Sequence, residues 1–164
     1  MNYLRISFGI FIVLASSRFI PHPPNFTSLL ALAFYIPAIL GIRYIPALII
    51  SYAITDLFFG FHSTFIFIWG SLIVIGYISK FFFLNIKTRI SGSVFGAFLF
   101  YLITNFAVWT NGMYGFNFVG LINCYLAAIP FFVNTIVSTI LFSFLIEFLL
   151  YIKSSNIFKR KHGH

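Results

Sequence analysis

Apolar runs close to bilayer length, cut apart by turn residues, govern what this chain can become. Six are read, at Leu4–Ile20, Leu29–Ile42, Ile45–Phe61, Thr64–Leu84, Val94–Trp109 and Pro130–Ile152. A helix needs about 20 apolar residues to cross a hydrocarbon core roughly 30 Å thick. The breaks carry turn chemistry. Pro21-His-Pro-Pro-Asn25 cannot continue a helix, because its three prolines remove amide donors and restrict their neighbours. Gly41 to Pro46 separates the second run from the third, and Phe61-His-Ser the third from the fourth. Asn85-Ile-Lys-Thr-Arg89 with Ser91-Gly92 reads as a basic, polar connection, and Asn111-Gly112 opens a longer link. The second and third runs are short, and Pro37 interrupts the second. Tilt, local thinning or snorkelling by Arg43 would make up the difference.

Composition supports this reading. Charged residues make up 7% of the chain, against about a quarter in a globular domain, while 61% is hydrophobic. So few charges cannot cover a water-facing surface, so most of the surface is expected to face lipid. The expected fold is all-α: a polytopic membrane protein, one six-helix transmembrane domain over residues 1–164 with a basic tail at 153–164. Arg5, the apolar stretch after it and Ala15-Ser16-Ser17 also fit a secretory signal. The run continues to Ile20, which favours a retained helix.

The net charge of +8 would point to nucleic acid in a soluble chain, but here the basic residues sit between and beyond apolar runs. They are expected to set topology and meet lipid headgroups, with no nucleic-acid partner. With the amino terminus in the cytoplasm, nine of the ten Lys and Arg fall inside and Arg18 alone outside. A seventh span over Met113–Ile129 would destroy that asymmetry. That stretch is therefore expected as an outer loop or re-entrant segment, with both termini cytoplasmic. Lys159-Arg-Lys161, His162 and His164 read as a solvated, headgroup-facing end. Cys124, the single cysteine, excludes an intrachain disulfide and reads as a small apolar residue.

In this topology the unusual polar residues collect on the outer side: Arg18, His22 and Asn25 after the first run, Asp56 and His62 at the end of the third, and Trp109, Asn111, Asn117 and Asn123 after the fifth. Ionisable residues inside a membrane mark candidate functional sites, and a one-sided cluster from several helices points to an outward pocket. Each residue has a plainer role as well. Arg18 and Asp56 either lock two helices as an ion pair or hold opposite charges on one ligand. His22 and His62 either cap backbone groups or bind. Trp109 is an interfacial anchor or a stacking wall, and Asn111 a turn residue. Glu147 fits a pair at the inner interface. Gly92-Ser-Val-Phe-Gly96 and the Ala47, Ser51, Thr55 stripe allow close helix approach, either within the bundle or against a partner.

No P-loop, HExxH or GxSxG is present, and the only two acids, Asp56 and Glu147, are expected near opposite faces. Paired-carboxylate catalysis is therefore nearly excluded; no enzyme activity and no cofactor are expected.

Arg18-Phe-Ile-Pro-His-Pro-Pro-Asn-Phe-Thr27, Asp56-x-x-x-Gly60-x-His62, and Gly120-Leu with Cys124-Tyr125 and Pro130-Phe-Phe-x-Asn134 resemble the motifs of an uncharacterised bacterial family of putative membrane transport proteins. That family is similar to the substrate-binding S components of energy-coupling-factor (ECF) transporters. The resemblance implies a six-helix protein of the bacterial inner membrane with cytoplasmic termini and an outward pocket. It makes Arg18, His22, Asn25, Asp56 and His62 the polar motif positions. S components commonly carry Ala-x-x-x-Ala on the first helix for docking the coupling subunit; here that helix has only Ala15.

The resulting expectation is a transport protein that captures a small vitamin-like solute from outside. Arg18 would hold an anionic group, Asp56, His22 and His62 would fix polar groups, and Asn25, Trp109, Asn111 and Tyr114 would complete the site. A transmembrane coupling subunit and an ATPase would be supplied by other chains. The alternative is an accessory or structural subunit of a membrane complex.

Overall fold

The computed structural model describes residues 2–61 and 63–162, with side chains through residue 155. The helices are α1 (Asn2–Phe19), α2 (Leu29–Leu40), α3 (Ile45–Phe59), α4 (Phe65–Ile78), α5 (Ile86–Thr110), α6 (Phe118–Ala127) and α7 (Ile129–His162), with single 3-10 turns at Ile42–Tyr44 and Ser79–Phe82. No strand occurs among the described residues. Among the described residues, four stretches are long and apolar enough to cross a membrane: Ile42–Phe59, Phe65–Phe82, Ile86–Thr110 and Ile129–Ser155.

Polarity runs inside-out, as lipid demands. On α7, Thr135, Ser138, Thr139, Ser143 and Glu147 are buried, whereas Val137, Leu141, Phe144, Leu145 and Phe148 are exposed. A water-soluble helix would reverse this. Together with the four long apolar stretches, this pattern marks a membrane protein.

α2 is the axis of the bundle. Its sequence, LLALAFYIPAIL, is apolar on every side, and Leu29 through Pro37 are all buried. A helix hydrophobic all round must be surrounded, and α2 packs on α4, α5, α7 and α3. Twelve residues rise about 18 Å, well short of a bilayer core. The helix stops at Gly41, whose φ of 97° suits glycine and whose N–H donates to the Pro37 carbonyl at 3.0 Å.

Small residues set the close approaches. A Cβ on Gly92 would lie 2.6 Å from Phe82 and 2.7 Å from Phe34, and one on Gly96 would lie 3.0 Å from Ile75. Both glycines of the Gly92–Gly96 pair thus face the bundle interior. Ala47, Ser51 and Thr55 are buried on α3, which packs on α1. Neither small-residue stripe is open to a partner chain.

Three boundaries differ from the sequence expectation: α4 ends at Ile78 rather than Leu84, α7 runs on to His162 past Ile152, and α5 starts early. α5 begins at Ile86, not Val94, because Asn85 and Thr88 form a reciprocal capping box: the Asn85 side chain accepts from the Thr88 N–H, and the Thr88 hydroxyl oxygen accepts from the Asn85 N–H, each at 3.0 Å. The stretch read as a polar connection is therefore the first turns of a helix. Met113–Ile129 contains ten-residue α6, too short to cross. It lies against α5 through Tyr125 hydroxyl to Leu102 carbonyl (2.6 Å) and Tyr101 hydroxyl to Tyr125 carbonyl (2.7 Å).

Candidate functional site

A cavity of about 520 Å³ opens at one end of the bundle. Arg18 comes from the carboxyl end of α1, Tyr52 and Phe59 from that of α3, and Thr104 and Asn105 from that of α5. Leu29 and Leu30 come from the amino end of α2, Thr64 and Ile68 from that of α4, and Thr135 and Ser138 from that of α7. Carboxyl ends of α1, α3 and α5 meeting amino ends of α2, α4 and α7 is the signature of six helices alternating in direction. The first turn of α2 floors the space that this short helix leaves empty.

Arg18 is the cation of the cavity. Its Nη1 lies 2.8 Å from Asp56 Oδ1 and donates to the Thr55 hydroxyl and, at 3.3 Å, to the Tyr52 carbonyl. The Asp56 contact is Coulombic rather than an aligned hydrogen bond, since Oδ1 has no donor directed at it among the described residues. The guanidinium also stacks on Tyr52 and Phe59, with centroids at 4.3 and 5.0 Å. All its described hydrogen-bond contacts fall on Nη1, leaving the rest of the guanidinium for the cavity. Asp56 is itself buried behind Arg18 and does not line the cavity.

The proline loop that follows α1 forms the rim. His22 and Asn25 line the cavity. The His22 ring nitrogens face the Pro23 carbonyl (2.7 Å) and the Arg18 carbonyl (3.3 Å). Asn25 has a positive φ of 62°, tolerated by its short polar side chain. The loop is tied down twice. Asn134 Nδ2 donates to the Pro24 carbonyl at 3.1 Å, and the Ser17 hydroxyl meets the Ser28 hydroxyl at 2.8 Å.

Arg18, His22 and Asn25 are thus brought together at one cavity, with Asp56 against Arg18. His62 lies outside the described residues. The remaining three expected positions lie elsewhere. Trp109 donates through Nε1 to the Gly115 carbonyl at 2.9 Å, and so closes the turn after α5. Asn111 Nδ2 donates to the Ser63 hydroxyl at 3.0 Å, tying α5 to the loop before α4. Tyr114 belongs to that same turn, whose carbonyls crowd Gly120: a Cβ there would stand 2.1 Å from the Tyr114 oxygen. The aromatic walls come instead from Tyr52, Phe59, Phe100, Tyr101, Phe131 and Phe132. Tyr101 and Phe132 stack with centroids 4.3 Å apart.

Sequence reasoning missed Thr104, Asn105, Thr135 and Ser138. Their signal was polar side chains at helical spacing inside apolar runs, which must face protein or a cavity.

A second polar cluster sits away from the cavity. Arg89 holds Glu147 bidentately, Nε to Oε1 at 2.6 Å and Nη2 to Oε2 at 2.8 Å, and the Tyr35 hydroxyl donates to Oε1 at 3.0 Å. Ser93 and Ser143 meet nearby on the same two helices, 2.9 Å apart. Each of the chain's two acids is therefore matched to an arginine, at separate places in the bundle. No group of three or more His, Cys, Asp or Glu able to hold a metal occurs among the described residues.

The two later resemblance motifs are largely structural here. Gly60 ends α3 at φ 89°, its N–H on the Asp56 carbonyl. The Gly120 N–H donates to the Asn117 side-chain oxygen at 2.7 Å, which caps α6, and the Cys124 thiol donates to the Asn105 carbonyl. No curated protein and no solved structure matches this chain. A family profile does match, over residues 2–157. The chain therefore belongs to that family, a family of unknown function (DUF6580).

Proposed function

We propose that this chain is a membrane transport protein of the bacterial inner membrane that captures a small, vitamin-like solute from the outer side, in the manner of an ECF S component. In this reading α1, α3, α4, α5 and α7 cross the membrane, short α2 makes its pass enclosed by the bundle with the proline loop completing it, both termini are cytoplasmic, and α6 rests on the outer end of α5. The observation that carries the reading is the cavity of about 520 Å³ with Arg18 in its wall. Its volume falls in the range of small-molecule sites, and its lining is mostly apolar with a few convergent polar groups. Charge topology supports the reading: Arg43, Lys80, Lys87 and Arg89 sit at the end of the bundle away from the cavity. Transport energy would come from other chains, a coupling subunit and an ATPase, because no nucleotide motif is present.

The rival reading, an accessory subunit, gains nothing from the small-residue stripes, which are covered within the chain. It does gain from the Arg18–Asp56 pair, whose charges already neutralise each other. A thermal-shift screen of purified protein against vitamins and cofactor precursors separates the two, with Arg18→Ala and Asp56→Ala beside wild type. Capture predicts a compound that raises the melting temperature of wild type and not of Arg18→Ala. Two destabilised variants, with no compound acting on wild type, would point to a purely structural pair.

A further inference from the structure

The cavity sorts its hydrogen-bonding groups by element, and that sorting constrains what fits. On α5 and α7 the hydroxyl protons are already committed. Thr104 donates to the Phe100 carbonyl at 2.8 Å, Thr135 to the Phe131 carbonyl at 2.8 Å, and Ser138 to the Thr135 carbonyl at 3.0 Å. A hydroxyl has one proton and two lone pairs. These three oxygens can therefore offer a solute only acceptors. Asn105 donates one Nδ2 proton to the Tyr101 carbonyl at 2.8 Å and keeps its Oδ1 as a further acceptor beside one free N–H. Thr135 and Ser138 are buried, so bulk water does not compensate these lone pairs.

The other wall carries most of the donors. Arg18 can only donate, and its described contacts all use Nη1. The Thr27 oxygen receives the Leu29 N–H at 3.4 Å, which leaves its proton free to donate. The Asn25 amide has no described side-chain partner and offers two more protons. The first turn of α2 adds the positive end of a helix to the same side. The stacked rings of Tyr101 and Phe132, from α5 and α7, add a flat apolar surface to the acceptor-bearing wall.

We infer that the captured solute is a planar, mainly apolar molecule with a carboxylate or carbonyl acceptor at one end and at least one N–H or O–H at the other. The acceptor lies against Arg18 and the donor against Thr104, Thr135 and Ser138. This rests on the capture reading of the same cavity. Discrimination comes from the far wall. A solute that fills the space without donors leaves buried acceptors unpaired, and such losses are larger than the gain from a well-made neutral bond.

The test uses full-length protein in detergent and planar aromatic acids in matched pairs, such as 4-aminobenzoate beside 4-(dimethylamino)benzoate and 4-hydroxybenzoate beside 4-methoxybenzoate. Binding is read by thermal shift and calorimetry. The donor-bearing member should bind at least about tenfold tighter in wild type. Ser138→Ala and Thr135→Val should shrink that ratio toward one, weakening the donor-bearing member and relieving the unpaired-acceptor penalty on the methylated one. Ser138→Ala removes one atom, so it keeps the test interpretable if Thr135→Val fails to fold. Pairs that bind equally would overturn the donor requirement and leave capture standing. Absence of binding by every member, with the folded state intact, would overturn both for solutes of this shape.

Discussion

Replacing Glu147 by alanine should be among the most damaging single changes available to this fold. Arg89 and Tyr35 both direct hydrogens at its carboxylate, Arg89 through two bonds of 2.6 and 2.8 Å. The side chains are 16% and 7% exposed, so the pair is largely withdrawn from water. Removing one partner of a buried pair costs about 3–5 kcal/mol, most of it from the charge left behind. Arg89 retains the Phe83 carbonyl at 3.2 Å and sits in the first turn of α5, where it can lean toward the headgroups. The lower end, about 3 kcal/mol, is therefore expected for Glu147→Ala. For a chain of this size that corresponds to a melting-temperature drop of roughly 6–12 °C. The double variant Arg89→Met/Glu147→Leu removes both charges at similar volume and should return to within about 1 kcal/mol of wild type. The assay is a double-mutant cycle on purified protein, adding Arg89→Met and Glu147→Leu alone. Single effects that simply add in the double variant would refute the coupling; so would Glu147→Ala at wild-type stability.

Tyr35→Phe should cost about 1.5 kcal/mol, less than Glu147→Ala, because the bidentate arginine remains; equal losses in the two variants, measured by thermal unfolding, would contradict this. Gly120→Ala places a Cβ 2.1 Å from the Tyr114 carbonyl, which is backbone and cannot swing aside. It should lose at least about 2 kcal/mol and detach α6, seen as a faster proteolytic cut between α5 and α7. Gly92→Leu should lower monomer stability and expression rather than dissociate a complex, since the site is filled by Phe82 and Phe34; a stable, monodisperse variant would show those neighbours to be absent. Cys124 is 2% exposed, so a membrane-permeant maleimide should label it only after unfolding; rapid labelling of folded protein would place α6 away from α5.

What the sequence made legible follows from what each signal depends on. Apolar runs report the solvent of the helix exterior, so the starts of α2, α3, α4 and α7 were legible to within a residue, and Pro21 to Asn25 and Gly41 lie between helices. The start of α5 was misplaced because Lys87 and Arg89 look like a loop when counted as charges. In the fold they lie in the capped first turn of α5, Arg89 aimed inward at Glu147. Arg18 could be placed in the cavity wall because one ionisable residue near the end of an apolar run has few places to go. Trp109, Asn111 and Tyr114 were equally close in sequence, but the turn they belong to folds back on itself. Its direction is set by contacts such as Trp109 to Gly115 that no periodicity encodes.

The length of α2 links these pieces. A central helix of twelve residues cannot fill a bundle built from neighbours of up to 25 residues and more, so one end must be closed by something else. At the cavity end the closure is a proline loop held by Ser17 and Asn134, which leaves a space lined by side chains rather than a packed core. On α7, buried Thr135, Thr139, Ser143 and Glu147 recur every four residues and so share one face of the helix. That face runs from the cavity wall to the Arg89 ion pair, and α2 packs against the same helix. Lengthening α2 at its amino end would push it into the cavity while leaving the ion pair untouched. The two polar clusters are therefore separable by mutation: one depends on where α2 begins, the other on the register of α5 against α7.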